Sequence, residues 1–249
     1  KSTPQKMGYK SDQDGIITRY AREKDNWDIH LAHSKQVILD AVKHFNAQSV
    51  SILGSGWLLD VPLDELSLMC SQVYLYDIVH PAQIRNKVSK YRNVATVDCD
   101  VTGGMVEKIW TLLQKKDTSL AQINSIEHIP FRPLFPTDLI ISLNLLNQLD
   151  IILCDFIIQN STFKSDDLMP FRRSLQQNHI DSLQQANFCL ITDYNEKLYD
   201  FKDAYISSRP LIVVPFPEKQ HQQNWEWKFD SSGFYYDEKK VIFDVKALY

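Results

Sequence analysis

Glycine is scarce in this sequence. Only seven glycines occur among 249 residues, and two of them, Gly54 and Gly56, follow one apolar run. Long hydrophobic runs are missing as well, since no stretch approaches the roughly 20 apolar residues that a membrane span needs. The N-terminal stretch also lacks the apolar core of a signal peptide. These absences predict a soluble protein that does not enter a membrane.

Cysteine is sparse too, and its spacing excludes common metal and redox sites. The four cysteines, Cys70, Cys99, Cys154 and Cys189, stand singly inside apolar segments. They lack the close pairs of a zinc site or a redox dithiol. We therefore expect buried thiols in a reducing compartment, a cytoplasmic location and no metal ion.

Charge gives no sign of a nucleic-acid partner. The formal net charge is −4, the sequence pI is about 6.0, and lysine and arginine are scattered along the chain. Duplex binding requires a basic patch or stripe. We expect a small-molecule or protein substrate, no duplex nucleic acid and no membrane partner, and the sequence leaves the oligomeric state open.

Short β-type runs alternate with helical patterns along most of the chain. An amphipathic helix is predicted over 26–46, and buried strands over 49–53, 72–79, 93–101, 138–143 and 187–193, with helices between them. The C-terminal part favours hairpins. This order predicts an α/β fold, a Rossmann-like doubly wound, mainly parallel sheet with antiparallel C-terminal edge strands. We expect residues 1–48 to form a helical extension packed on the core and residues 49–249 to form the Rossmann-like domain.

The two glycines fall where an open α/β sheet binds its ligand, at the carboxyl end of the first strand. Glycine there lets a ligand approach the backbone, and a helix N-terminus just beyond would add amide donors. Asp77 ends the second strand about 20 residues later, where a carboxylate can accept both hydroxyls of an adenosyl ribose. A tight turn without a ligand is the alternative interpretation of the loop, and a helix-capping role is the alternative for Asp77.

The order of these motifs resembles the class I S-adenosylmethionine-dependent methyltransferases. The matching segments are ILGSG, YLYD, VDCDV and DLIISLNLLNQL, which cover roughly residues 49–193 in order and spacing. The C-terminal segments suit the family's antiparallel sixth and seventh strands. The resemblance implies a Rossmann-like methyltransferase domain, S-adenosylmethionine as cofactor, and methyl transfer to a substrate that the sequence does not name.

The resemblance also implies roles for individual residues. Gly54, Ser55 and Gly56 would line the methionine part of the cofactor, and Asp77 would bind the ribose. Asp100, or alternatively Asp98, would meet the adenine amino group. Asn144 would hold the cofactor's amino-acid end or the substrate. Catalytic residues remain unassigned, because the cofactor supplies the electrophile and the protein chiefly positions the nucleophile.

The glycine loop departs from the family pattern at two positions. Ile52 stands where an acid is usual, and the third glycine of a G-x-G-x-x-G loop is replaced by Leu59. Trp57 either stacks on the cofactor, as a substitute wall, or is a core residue. The departures keep open a methyltransferase-like binding or scaffold protein without turnover. They disfavour an NAD(P)-dependent oxidoreductase more strongly, since its loop needs the third glycine.

Aromatic and histidine residues elsewhere have ordinary interpretations. His30 and His33 lie three apart on the N-terminal helix but lack a third ligand, so we expect solvated histidines rather than a metal site. Trp225, Trp227 and Phe229 alternate on one strand face, which favours core or edge packing over a substrate platform.

Overall fold

The structure is a computed structural model that describes residues 2–115 and 117–249. In these residues eight strands form one sheet with the order β3-β2-β1-β4-β5-β8-β7, and β6 pairs with β5 beside this path. The strands are β1 Ser49–Leu53, β2 Gln72–Asp77, β3 Val94–Asp98, β4 Leu139–Leu143, β5 Phe188–Tyr199, β6 Tyr205–Pro210, β7 Gln222–Asp230 and β8 Lys240–Leu248.

Helices connect the strands of the first part of the chain. They are α1 Thr3–Lys6, α2 Tyr9–His44, α3 Leu63–Met69, α4 Ala82–Val88, α5 Met105–Leu113, α6 Leu120–Asn124, α7 Ile151–Gln159 and α8 Met169–Leu183, with a 3-10 turn at Ser165–Leu168. In the described part of the chain, no helix is both long and apolar enough to cross a membrane.

The pairing of the strands confirms the predicted fold class. Strands β1 to β5 pair in parallel, whereas β8 is antiparallel to both β5 and β7. The last strand of the chain therefore lies between β5 and β7, and β6 adds an antiparallel hairpin arm to β5. Parallel strands with crossover helices, followed by antiparallel C-terminal pairing, match the architecture expected from the class I methyltransferase resemblance.

The sheet is covered on both faces, because alternate side chains of a strand point to opposite sides. Val50 and Ile52 of β1 join one apolar cluster, which also contains buried residues of α2, α3 and α4. Leu53 joins the other cluster, which contains residues of α5, α7 and α8. Helices on both faces of a mainly parallel sheet define the doubly wound arrangement.

The N-terminal helix is longer than the predicted 26–46. It begins at Tyr9, ends at His44, and bends at Glu23, whose φ of −107° and ψ of 20° are not helical. The second half buries an apolar stripe against the sheet, which is the signal that the sequence carries. The first half is polar and includes Gly15, because it covers a pocket rather than the core. The domain boundary at residue 48 stays a prediction.

Candidate functional site

One pocket opens at the carboxyl ends of the parallel strands. Its floor is formed by the residues that follow β1, β2, β3, β4 and the parallel part of β5, and the first half of α2 forms a wall. Strand order reverses between β1 and β4, and an open α/β sheet binds ligands at such a switch point. The predicted site residues Gly54, Ser55, Gly56, Trp57, Asp77, Asp100 and Asn144 all line this pocket.

Gly54 is required by the close approach of two strands. Its φ is +82°, and a Cβ at this position would stand 2.8 Å from the carbonyl oxygen of Leu143. The backbone amides of Gly54 and Ser55 both donate to the carbonyl of Tyr76, at 2.9 and 3.2 Å. The loop is thereby fixed between the tips of β2 and β4.

Gly56 leaves space in front of an acid. Its φ is +47°, and a Cβ there would meet only Asp77 Oδ2, at 3.9 Å, apart from its chain neighbours. The amide of Gly56 donates to the same oxygen at 2.7 Å. A ligand group that approaches Asp77 thus meets backbone rather than a side chain at this position.

The missing third glycine has a structural reason. The residues after Gly56 form turns, and α3 begins only at Leu63, with Pro62 as its N-cap. The close strand-to-helix packing that requires a third glycine is therefore absent here. The predicted helix beyond the loop is present as α3, but its first residue, Leu63, does not line the pocket. The amides of Gly54, Ser55 and Gly56 are already bonded to Tyr76 and Asp77. Ile52 is fully buried in an apolar cluster, where an acid would have no partner.

Asp77 lies at the tip of β2 and already accepts several hydrogen bonds. Its Oδ1 accepts from the amide of Ile78 at 2.7 Å and from Gln13 Nε2 at 3.1 Å, and its Oδ2 accepts from Gly56. Burial raises the pKa of this carboxyl, and the hydrogen bonds oppose that rise. A carboxylate offers about four acceptor positions, so about one remains for a ligand unless Gln13 moves.

The two candidate acids after β3 occupy different places. Asp100 lines the pocket, and its carboxylate accepts from the amides of Thr102 and Val106, at 2.9 and 3.1 Å. Asp98 does not line it, since its carboxylate is paired with His80 and Arg85. Of the two alternatives, only Asp100 is placed to reach a ligand in this pocket.

Asn144 stands beside a second acid of the pocket, Asp60. It has a positive φ of 47°. Its Nδ2 donates to Asp60 Oδ2 at 2.7 Å, while its buried Oδ1 accepts no hydrogen bond from the described residues. Burial raises the pKa of Asp60 to about 6. Beside the glycine loop, the pocket lining therefore contains an acceptor without a donor, Asn144 Oδ1, and a carboxyl group with a raised pKa, that of Asp60.

Trp57 joins the glycine loop to the N-terminal helix. Its indole N–H donates to the backbone carbonyl of Gln13 at 2.7 Å, and its ring is partly buried at the pocket wall. Gln13 also donates through Nε2 to the carbonyl of Val79 at 2.9 Å. The helix is therefore bound to the ends of both β1 and β2. Trp57 both lines the pocket and connects the glycine loop to α2.

Ser55 borders the pocket but turns its hydroxyl elsewhere. The residue is 1% exposed, and its Oγ lies 2.9 Å from His80 Nε2. The side chain therefore fixes the loop, and only its neighbouring glycines leave open backbone.

Two further pocket residues, Asp193 within β5 and Asn147 after β4, were not predicted from the sequence. Asp193 is 3% exposed and Asn147 is 5% exposed, and both line the pocket. Asn147 Nδ2 donates to Asp193 Oδ2 at 2.9 Å, whereas the Oδ1 atoms of both residues accept nothing from the described residues. The signal was present, because Asp193 ends the run NFCLITD in the same way that Asp77 ends YLYD.

The core packing predicted for the aromatic strand face is confirmed, and the same face also borders the pocket. Trp227 and Phe229 are buried but line the pocket, together with Phe243. His30 is 1% exposed rather than solvated, and its ring stacks on Trp227 with centroids 4.0 Å apart. Burial lowers the pKa of His30 to about 3, so the ring is neutral at pH 7. Trp225 Nε1 donates to His30 Nδ1, which places the histidine proton on Nε2.

The rings of His30, Trp227, Phe229 and Phe243 form an aromatic wall of the pocket. Two N–H groups of this wall have no acceptor among the described residues. His30 Nε2 and Trp227 Nε1 are both buried and unpaired among the described residues. No group of three metal-ligating side chains occurs in residues 2–115 and 117–249. The lining of the pocket thus combines residues with unfilled acceptor oxygens, aromatic rings and the glycine loop.

Comparison with known proteins gives structural similarities only. No protein-family model and no curated protein matches the sequence. The chain is similar to N-methyltransferase NodS from Bradyrhizobium japonicum WM9 in complex with S-adenosylhomocysteine, with 10% identity, a TM-score of 0.41, and coverage of 86% of this chain and 85% of that one. It is also similar to Burkholderia thailandensis 1,6-didemethyltoxoflavin-N1-methyltransferase, with 10% identity, a TM-score of 0.42, and coverage of 95% and 87%.

Proposed function

We propose that this chain is an S-adenosylmethionine-dependent methyltransferase. The observation that supports this proposal most directly is the pairing of Gly56 with Asp77. The glycine amide and the carboxylate are bonded at the tips of β1 and β2, and the space in front of them is free of side-chain atoms at Gly56. An acid on the second strand beside a glycine turn suits the ribose of a nucleotide-type cofactor.

The other polar groups of the pocket fit the two ends of such a cofactor. Asp77 would accept from the ribose, with Gln13 Nε2 giving up its place on Oδ1 if both hydroxyls bind. The unpaired Asn144 Oδ1 would accept from the ammonium of the amino-acid end, and Asp60 would supply a nearby charge. Asp100, which also lines the pocket, would meet the adenine amino group.

When bound, the cofactor supplies an electrophilic methyl group, so the chain needs to bind, orient and exclude water. The wall formed by α2 would help to exclude water, since the hydrogen bond from Trp57 to Gln13 holds the helix against the glycine loop. A nicotinamide enzyme is disfavoured, because β8 runs antiparallel where the dinucleotide fold continues its parallel order.

Calorimetry with S-adenosylhomocysteine tests the proposal. Wild type should bind one equivalent, and Asp77→Asn should weaken binding at least tenfold, because the loss of one charge-assisted hydrogen bond costs about 1.5 to 3 kcal/mol. Asp138→Asn is the control, since Asp138 precedes β4 at the opposite end of the sheet. Absence of binding by wild type, or equal affinity in the Asp77 variant, would contradict the proposal.

A further inference from the structure

We propose that the methyl-accepting substrate is an amine on an aromatic body, and that Asp193 and Asn147 bind its amino group. This inference rests on the proposed methyltransferase function and names the substrate class of the same pocket.

The first support is the pair of unfilled acceptors. Asp193 and Asn147 are each more than nine-tenths buried, and they share one hydrogen bond of 2.9 Å. Each keeps an Oδ1 atom that accepts nothing from the described residues. A buried acceptor without a donor is costly, and native proteins almost always satisfy such atoms. An ammonium carries three N–H donors and can fill both positions at once.

The second support is the missing positive charge. In residues 2–115 and 117–249, no lysine, arginine or histidine forms an ion pair with Asp193. Glu196, the nearest acid on the same strand, is already paired with Arg209 at 2.7 Å. Burial without a cation raises the pKa of Asp193 to about 7. A cationic ligand would supply the positive charge that Asp193 lacks among the described residues.

The pair of Asp193 and Asn147 differs in position from the site proposed for the ammonium of the cofactor. Asn144 and Asp60 adjoin the glycine loop, where the amino-acid end of the cofactor would lie. Asp193 follows the parallel part of the neighbouring strand β5, which is one strand further from the loop. The substrate nitrogen would therefore lie beside the methyl donor rather than in its place.

The aromatic wall suits the rest of the substrate. Trp227, Phe229 and Phe243 line the same pocket, and aromatic faces favour both apolar bodies and nearby cations. The free N–H groups of His30 and Trp227 would additionally bind an oxygen carried on the body.

The pair also serves the reaction. A protonated amine has no free electron pair, so one proton must leave before nitrogen attacks the methyl carbon. The Asp193 carboxylate accepts that proton. The new C–N bond forms with the nitrogen pair, the C–S bond breaks with its pair left on sulfur, and the product leaves as a methylated ammonium.

Calorimetry with matched amine and alcohol probes tests the inference in the presence of saturating S-adenosylhomocysteine. The probes are 2-phenylethylamine with 2-phenylethanol, tryptamine with tryptophol, and tyramine with tyrosol. At least one amine should bind wild type tenfold or more tightly than its alcohol. Asp193→Asn should remove that preference and leave the affinity for S-adenosylhomocysteine within twofold of wild type.

Asp244→Asn is the matched control, since Asp244 lies on β8 outside the pocket and pairs with Lys197 at 2.7 Å. This variant should keep the preference for amines. Equal binding of amine and alcohol in all three pairs, or an undiminished preference in Asp193→Asn, would overturn the inference. A parallel loss of S-adenosylhomocysteine affinity in Asp193→Asn would assign the acid to the cofactor instead. Failure of wild type to bind S-adenosylhomocysteine would contradict the proposed function, and titration of the probes alone would still test Asp193.

Discussion

The imidazole of His80 lies between Ser55 and Asp98. Its Nε2 is 2.9 Å from the Ser55 hydroxyl, and its Nδ1 is 2.6 Å from Asp98 Oδ1. Ser55 and His80 are both almost fully buried, so the hydroxyl is not presented to a substrate as a nucleophile. The chain of bonds instead fastens the glycine loop to the tip of β3, across the end of β2.

A double-mutant cycle measures this connection. Ser55→Ala and His80→Phe should each destabilise the protein, because each leaves the other partner's polar atom buried and unpaired. The double variant should cost less than the sum, by about 0.5 to 1.5 kcal/mol, since the second change removes an atom that is already unpaired. Urea denaturation of the four proteins gives the values. Additivity within about 0.3 kcal/mol would show that the contact contributes nothing.

Gly54 and Gly15 should respond to alanine in opposite directions. Gly54→Ala places a Cβ against the Leu143 carbonyl and forces alanine to a φ of +82°, which alone costs about 1 to 3 kcal/mol. Gly15 lies inside α2, and a Cβ there would meet no atom within 4 Å outside its own helix. Gly15→Ala should therefore raise the free energy of unfolding by about 0.5 to 1 kcal/mol. Denaturation midpoints of the two variants check the pair. Equal effects would contradict the strand contact at Gly54.

The sheet could be predicted from sequence because each parallel strand is a short apolar run with a clear end. The same rule placed Gly54, Asp77 and Asn144 around one pocket. It would have found Asp193 as well, since that residue ends β5's buried run. The first half of α2 was missed because a helix that covers a cavity has no apolar stripe to display.

Contacts between distant segments could not be predicted. The bond from Trp57 to Gln13 joins residues 44 positions apart, and the stack of His30 on Trp227 joins the N-terminal helix to β7. Alternation correctly placed Trp227 and Phe229 on one buried face. It did not show that this face borders a pocket, because burial against core and burial against a cavity have the same sequence pattern.

Trp57 should separate pocket effects from core effects. Trp57→Ala removes a wall of the pocket, so affinity for S-adenosylhomocysteine should fall by about 1 to 3 kcal/mol while the protein remains folded. Trp57→Phe keeps a ring but loses the bond to the Gln13 carbonyl, and should cost about 1 kcal/mol of stability. Calorimetry and urea denaturation of both variants give the two quantities. A stability loss of about 3 to 5 kcal/mol with unchanged affinity in Trp57→Ala would identify a core residue instead.

Asp193 should make stability fall as pH rises. Burial raises the pKa of its carboxyl from 3.8 to about 7 in the folded protein. Between these values the unfolded chain has released the proton that the folded protein still holds, so each pH unit costs about 1.4 kcal/mol. The stability is fully present below pH ~4 and is lost as pH rises toward ~7.

Comparison with Asp193→Asn isolates this effect, because the amide cannot titrate and nearly preserves the shape. The difference in unfolding free energy between wild type and variant, measured in urea from pH 4.5 to 7.5, should move steadily in favour of the variant. Asp244→Asn is the control and should leave the wild-type slope unchanged, since Asp244 lies outside the pocket and pairs with Lys197. A bound amine probe should flatten the wild-type slope, because an ammonium stabilises the charged carboxylate. A flat difference without any ligand would mean that Asp193 is already ionised in the folded protein, and would remove the uncompensated acid from the pocket.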